Sequence, residues 1–555
     1  MRSLRLPFAL AALLLAAVVH GEAVTVEEAI RERVDHIRYE REHDSSDHDV
    51  RGAPIVAGEG VARYYEAEQF RPQWQDPARV DRLIAAVADL QWDGLDPENY
   101  HVEALQSFRS QMRGGQSLSL GDQADLELIA TDATMLALYH LYFGKVDPEK
   151  LDTQWNFTQR PLDVDEAFER FREVIATGQI GEAFERARPQ HPWYQRGRER
   201  LKEYRALQAA GGWSPLAAGP TMKPGTSDPR VPALRYRLKV TKDLAGDLAP
   251  PTPPPDTNYD TELEAAVKRF QERHGLTPDG AVGPGTLAAL NVPVAARIDQ
   301  IRVNLERSRW VLHEIAGNFV LVDVAGFYVS YFRNDEPVWT SKVIVGRPYR
   351  ETPIFRSTIT YVVFNPTWTI PPGILVKDKL PVIKKDPGYL RRNNIRVIDS
   401  SGREVNPSSV NWSRYGAGRL PPYTLRQDPG DDNALGLVKI MFPNKYSVYL
   451  HDTPSKSLFD KDERTFSSGC IRVQKAFELA ELVLDDPARW NQASIAEVVK
   501  AGTMKTVNLA RPVPVLLLYW TAQPTADGQV LFRNDIYGRD PPTLAALDSG
   551  FRRPR

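Results

Sequence analysis

Residues 319–345 read FVLVDVAGFYVSYFRNDEPVWTSKVIV, and their composition decides the fold of the C-terminal half of the chain. Val, Ile, Tyr and Phe dominate, side chains that suit a pleated, half-buried surface. Strands are expected at 319–324, 327–332, 338–345 and 357–364, with Ala325-Gly326 and Asn334-Asp335 as tight turns between the first three, hence an antiparallel β sheet. Residues 371–436 interrupt that pattern with Pro, Gly and charged residues. An insertion of this length in a compact sheet is more often a functional lid than a plain loop. Strands resume at 438–441 and 446–451, and a last hairpin is expected to pair 513–519 with 530–533 across Asp527-Gly528.

Upstream of this sheet the period is helical. After a polar stretch from 22 to 51, Asp76 is a good N-cap with Pro77 at the first helical position, and Val80, Leu83, Ile84, Val87 and Leu90 recur at helical spacing. A second helix is expected over 122–143, closed by Gly144. His43 and His48 lie in a polar segment without further ligands at metal spacing, so a solvated tail is the better reading. Residues 211–227, rich in Gly, Pro, Ala and Ser, mark a linker. Beyond it Asp228-Pro229 start a helix with Val231, Leu234 and Leu238 on one face. Thr261 and Glu264 form a capping box for another, which carries Leu263, Val267 and Phe270 and ends at Gly275. The proline run 250–255 between them is an extended loop.

With 555 residues the chain is too long for one core, and a prior of roughly 100 to 200 residues per domain suggests about three. Hydrophobic residues make up 42% and charged residues 26%, the balance of a folded, water-soluble protein. The formal net charge of -2 and the lack of a long Lys/Arg run exclude a nucleic-acid footprint. Arg2 and Arg5 ahead of the apolar run 6–19, with small residues around Gly21 and Ala23, read as an export signal over 1–21. That run is shorter than the roughly 20 residues a membrane-spanning helix needs, so a retained N-terminal anchor is the minor alternative to a cleaved signal.

Export makes the single cysteine informative. Cys470 has no partner for a disulfide within the chain, and an unpaired thiol in an oxidising compartment is a liability unless it is buried or used. A buried small hydrophobe is the ordinary state of such a residue. Its neighbours argue otherwise. YLHDTPSKSLF from Tyr449 delivers His451 at the end of a strand, and FSSGCIRV from Phe466 places Ser468-Gly469-Cys470 ahead of an amphipathic helix with Phe477, Ala480 and Val483. Cys470 is therefore expected near a helix N-terminus, where amide dipoles and a nearby imidazole both favour thiolate. Free amides around Gly469 and Cys470 suit an oxyanion, and Arg472 suits a bidentate grip on a carboxylate. Singly, His451 reads as a strand-end histidine, Gly469 as a turn residue and Arg472 as a surface charge. Their convergence on the one Cys supports nucleophile, base and oxyanion site.

These residues, with VIVGRPYRETPIF before them, resemble the YkuD-type L,D-transpeptidase family over about residues 315–490. FQERHGLTPDGAVGPGT and Leu290-Asn291 resemble the small three-helix peptidoglycan-binding module of wall enzymes over 225–292, and a helical spacer that binds nothing is the alternative for that unit. With QWDGLDPENY from Gln91 and the tail VPVLLLYWTAQ, the mature chain resembles the long, scaffold-bearing subgroup. The implied fold is multidomain α+β: a helical scaffold at 45–210, the wall-binding module at 225–292, a β-rich catalytic domain at 315–490 with a capping insertion at 371–436, and a C-terminal β-hairpin tail at 500–545.

The resemblance also implies roles. Cys470 matches the nucleophile, His451 the base, and Gly469 with Cys470 the oxyanion region, while Tyr449, Ser468 and Arg472 match substrate-contacting positions. Much of the family has His where Ser468 stands and Gly where Asp452 stands, so the base falls on His451 alone and the group orienting its ring is open. The implied reaction is acyl transfer through a Cys thioester, giving third-to-third cross-links between peptidoglycan stem peptides, with no metal and no cofactor, in the periplasm or cell envelope. Stem peptides and glycan are the partners, other wall-synthesis proteins are further candidates, and the oligomeric state is not legible. Two alternatives stand beside it: a wall peptidase or L,D-carboxypeptidase that uses water as acceptor, and a noncatalytic wall-binding scaffold.

Overall fold

The computed structural model describes residues 25–42, 49–113, 117–151, 160–248, 256–313, 315–386 and 388–550. The export signal, His43, His48 and the proline run lie outside the described residues. No helix among those described is long and apolar enough to cross a membrane.

Helices occupy the N-terminal third. Pro77–Asp89 is capped by the Asp76 carboxylate, which accepts from the Ala78 amide, and Leu120–Phe143 stops at Gly144, whose φ is 95°. Val80, Leu83, Val87 and Leu90 are fully buried, as their spacing requires, in one core with Leu126, Leu128 and Ile129 of the longer helix. The next unit packs helices Val231–Val240, Thr261–Arg273 and Pro284–Leu290 around Leu234, Leu238, Leu263, Val267, Phe270, Val282 and Leu290. Three local expectations are corrected there. The first helix begins at Val231, because the Asp228 carboxylate turns back to the Arg230 amide. The second is capped by Asp260, which accepts from the Leu263 amide, so Thr261 is its first residue and not its cap. The third concerns Leu276 of FQERHGLTPDGAVGPGT, an apolar residue expected in the core of this unit, which is half-buried and outside it.

The C-terminal half is β-rich. Its strands are β1 (Phe319–Asp323), β2 (Tyr328–Arg333), β3 (Glu336–Gly346), β4 (Phe355–Phe364), β5 (Trp368–Thr369), β6 (Ile395–Ile398), β7 (Glu404–Val405), β8 (Thr424–Gln427), β9 (Val438–Met441), β10 (Leu450–His451), β11 (Thr465–Ser467), β12 (Ile471–Val473), β13 (Lys505–Leu518), β14 (Ala522–Pro524) and β15 (Val530–Phe532). Nine of them form one sheet in the order β11-β3-β12-β10-β9-β4-β13-β1-β2, and β2 also pairs with the long β3, which closes the sheet on itself. The sheet is mixed rather than antiparallel: β13 runs parallel to β1, β12 to β10 and β11 to β3. Composition identifies strands, but direction follows from long-range pairing.

Both faces of this sheet are covered, so alternate residues enter different cores. Val320 and Val322 of β1 and Val515 and Leu517 of β13 point into one. Phe319, Leu321, Leu516 and Leu518 point into another, against helices Pro192–Ala209 and Val294–Val311. The expected C-terminal hairpin is corrected accordingly. β13 lies inside the sheet between β4 and β1, and β15 pairs with β14 instead. Two of the tight turns hold, by different means. Asn334 and Asp335 take positive φ (50° and 67°), as a tight hairpin requires, whereas between β1 and β2 the positive φ falls on Phe327 (60°). Gly326 is needed there for close approach, since a Cβ would lie 2.0 Å from the Asp323 carboxylate.

The segment 371–436 is folded. With β5 it forms a second, four-stranded sheet in the order β5-β8-β6-β7, over a core of Trp368, Leu380, Ile383, Leu390, Val397 and Leu425. The three-helix unit is docked on the β-rich half: Arg533 Nη1 donates to Arg273 O (2.9 Å), and the His274 ring stacks on Phe532.

Candidate active site

Two short parallel strands bring the site together. β10 and β12 are in register with Leu450 opposite Ile471 and His451 opposite Arg472, and the Ile471 amide donates to Tyr449 O (3.1 Å). Because side chains alternate along a strand, Tyr449 and His451 share a face with Cys470 and Arg472. β9 continues it, with Lys439 opposite His451. Four of the residues picked from sequence (Tyr449, His451, Cys470 and Arg472) thus lie together, and Lys439 joins them.

Cys470 is half-buried at the start of β12. Its Sγ lies 3.7 Å from Ser447 O, and both the amide and the hydroxyl of Tyr449 hydrogen-bond toward the sulfur. Burial pushes the thiol up, opposed by those two hydrogen bonds and by the charges of Lys439 and Arg472. The expected helix dipole is corrected. Strand β12 stands between Cys470 and helix Ala476–Leu484, so Cys470 is not at the N-terminus of that helix. The resting residue is a thiol, with Lys439 and Arg472 as its nearby positive charges.

His451 is 4% exposed, and its Nδ1 lies 2.5 Å from Asp452 O, with the Leu435 carbonyl as a second partner. Burial first, then the Arg472 charge, lowers its pKa to about 3. A neutral ring that donates from Nδ1 to the Asp452 carbonyl carries its acceptor lone pair on Nε2. These carbonyls orient the ring, a role the sequence left open. The Asp452 carboxylate is used elsewhere: it accepts from the Leu437 amide (3.1 Å) and pairs with Lys456, fixing the return of the insertion.

Tyr449 joins the site to the insertion. Its ring packs on the insertion core, its hydroxyl is hydrogen-bonded to Trp368, and Lys439 Nζ stands 3.9 Å from its ring centroid. Ser468 is exposed at the rim, and its Oγ accepts from Arg350 Nη1 (2.8 Å). The same guanidinium donates through Nη2 to Asp378 of the insertion (3.0 Å), so Arg350 ties the insertion to the loop that carries Cys470.

Gly469 takes φ 112°, a region that favours glycine, and its amide donates to Ser467 Oγ (3.1 Å). That corrects the expectation of a free Gly469 amide. Among the described residues the Cys470 amide, like that of Ser468, has no acceptor. Lys439, Arg350, Asp378 and the Leu435 carbonyl were missed by sequence reading. Lys439, a charge inside the apolar strand VKIM, was the legible signal, but only the register places it beside His451. A cavity of about 360 Å³ between Pro148, Trp310, Glu351, Tyr519 and Arg539 contains none of these residues. Among the described residues no group of three His, Cys, Asp or Glu side chains is placed to hold a metal.

Residues 317–513 match the family model of the L,D-transpeptidase catalytic domain (YkuD), residues 59–201 that of the scaffold domain, and residues 227–290 that of the "Putative peptidoglycan binding domain". A protein of Haemophilus influenzae named "Putative L,D-transpeptidase" is 35% identical over 223 residues, which cover 40% of this chain and 45% of that protein. The chain thus aligns with less than half of that relative. Among solved structures, an L,D-transpeptidase from Xylanimonas cellulosilytica is 16% identical, covering 54% of this chain and 99% of that one, with a TM-score of 0.18. L,D-transpeptidase 1 of Mycobacterium tuberculosis is 14% identical, covering 36% and 61%, with a TM-score of 0.14.

Proposed function

We propose, for a chain whose residues 317–513 match the L,D-transpeptidase catalytic domain (YkuD), that Cys470 and His451 catalyse acyl transfer on peptidoglycan stem peptides through a thioester, in the cell envelope. The observation that carries this reading is the register of β10 against β12, which sets a neutral, oriented imidazole and the one thiol on a single face beside Lys439 and Arg472.

In the first half-reaction Sγ attacks the carbonyl carbon of the third stem residue while His451 Nε2 takes the thiol proton. The carbonyl π pair moves to oxygen, which faces the Cys470 amide. When the intermediate collapses the amide C–N bond breaks, and the terminal D-amino acid leaves with the proton from His451. In the second, the side-chain amine of a neighbouring stem's diaminopimelate attacks the thioester and gives its proton to His451. The thioester C–S bond breaks, the expelled sulfur takes that proton from His451 to restore the thiol, and a third-to-third cross-link remains. Arg472 is suited to a stem carboxylate, and the 227–290 module to holding the enzyme on its polymer. Incubation with isotope-labelled tetrapeptide stems, read by mass spectrometry, should give cross-linked dimers and free D-amino acid. Tripeptide alone would make the protein an L,D-carboxypeptidase, and unchanged tetrapeptide would make it a binding scaffold.

The capping role of the insertion is part of this proposal, since a thioester meant for an amine must be kept from water. Arg350 to Asp378 is a half-exposed ion pair, worth about 1 kcal/mol or less. Asp378→Asn is expected to raise the hydrolysis-to-aminolysis ratio by up to about fivefold, the equivalent of that energy, with thioester formation nearly unchanged. An unchanged ratio in the same stem-peptide digest removes the latch from the capping role.

A further inference from the structure

The residues behind the nucleophile loop form a closed hydrogen-bond ring that reaches beyond residues 317–513. Thr352, fully buried, donates from Oγ1 to Gly469 O (2.9 Å) and accepts there from the Gly346 amide (2.9 Å). Its own amide donates to the Tyr537 hydroxyl (3.2 Å), which donates in turn to Gly346 O (2.7 Å). Tyr537 is held by the Tyr519 hydroxyl, which accepts from its amide (2.9 Å), and the two rings stack at 5.6 Å. Gly346 leaves room for this crossing, since a Cβ would lie 2.2 Å from Arg350 O.

Gly469 O and the Cys470 amide are the two ends of one peptide unit. In a trans peptide the C=O and N–H point in opposite directions, so a hydrogen bond that fixes one fixes the other. It also polarises the unit and makes the N–H a stronger donor. The Gly469 amide is occupied by Ser467, whereas the Cys470 amide, on the residue that carries the sulfur, has no acceptor. We propose that Thr352, held by Tyr537 of the C-terminal segment, is a positioning residue that aims the Cys470 N–H at the oxyanion. The C-terminal segment is then part of the catalytic apparatus. This rests on the reading of Cys470 as an acyl-accepting nucleophile.

The test compares two reactions of the same sulfur in the full chain. Acylation by a carbapenem develops an oxyanion, whereas alkylation by iodoacetamide does not. For Thr352→Val, which keeps the shape and loses the hydroxyl, acylation should fall by about ten- to a hundredfold, less than the loss of an oxyanion donor outright. Alkylation across pH should stay within about twofold, and Thr352→Ser should restore acylation. Tyr537→Phe leaves Thr352 intact and should give the same split at about three- to tenfold, the size of one hydrogen bond; it keeps the test open if Thr352→Val does not fold. Parallel losses in both reactions, or none in either, overturn the proposal. Wild-type protein that alkylates without acylating overturns the nucleophile reading and this proposal together, while normal wild-type acylation with unshifted variants overturns this proposal alone.

Discussion

Cys470→Ala is expected to take up no carbapenem, while the wild-type protein gains the whole mass of one opened β-lactam per chain. The ring-opening adds the drug without a leaving group, so intact-mass analysis counts the adduct and peptide mapping places it. The effect is all or none because Cys470 is the only sulfur nucleophile of this type in the chain. Ser467 and Ser468 do not substitute for it. Ser467 Oγ is committed to Cys470 O and the Gly469 amide, and Ser468 Oγ sits at the rim under Arg350. An equal adduct on the alanine variant removes Cys470 from the mechanism. The cavity near Tyr519 and Arg539 would then be the next place to look for the drug, since it is roomy and partly apolar. Cross-linking of stem peptides should disappear in the same variant with the module at 227–290 still folded, because Cys470 is no part of that module's core.

Much of this arrangement is legible in the sequence because it depends on local pattern. Val80, Leu83 and Val87 mark a helix, 319–345 marks strands, and a histidine ending one strand with Gly469-Cys470 opening another marks the place where an imidazole and the one thiol meet. What the sequence hides depends on which distant segments pair. Strand direction is one example: β13 looked like one arm of a hairpin, yet it is the partner of β4 and β1. The state of the thiol is another. The three residues of β12 separate Cys470 from the following helix, and that small distance replaces a dipole argument with one based on Lys439 and Arg472, which come from different strands. The insertion was visible as an interruption, but not as a folded unit, because its core is built from single residues such as Trp368, Ile383 and Leu425 scattered among Pro, Gly and charges.

The wiring of that insertion bears on the other large effect, that of His451→Ala. At neutral pH this variant should acylate about 10² to 10⁴-fold more slowly, the usual contribution of a general base. The pH dependence separates this from a preformed thiolate. With the imidazole pKa lowered to about 3, His451 is neutral and able to accept a proton throughout the range from about pH 4 upward. Since burial raises the thiol, little thiolate exists at pH 7 and the proton must move during attack. Wild-type acylation should therefore show no acid limb between about pH 4 and 7. In His451→Ala the rate should climb about tenfold per pH unit toward the raised thiol pKa, because only spontaneous ionisation remains, and the gap between the two proteins should close as pH rises. Stopped-flow acylation over about pH 4 to 10 measures both profiles. A wild-type limb near the ordinary imidazole value would mean that the ring titrates freely. The carbonyls of Asp452 and Leu435 would then not be holding it in one tautomer. A variant as fast as wild type at every pH would leave Lys439 and Arg472 as the groups that supply a thiolate without a base.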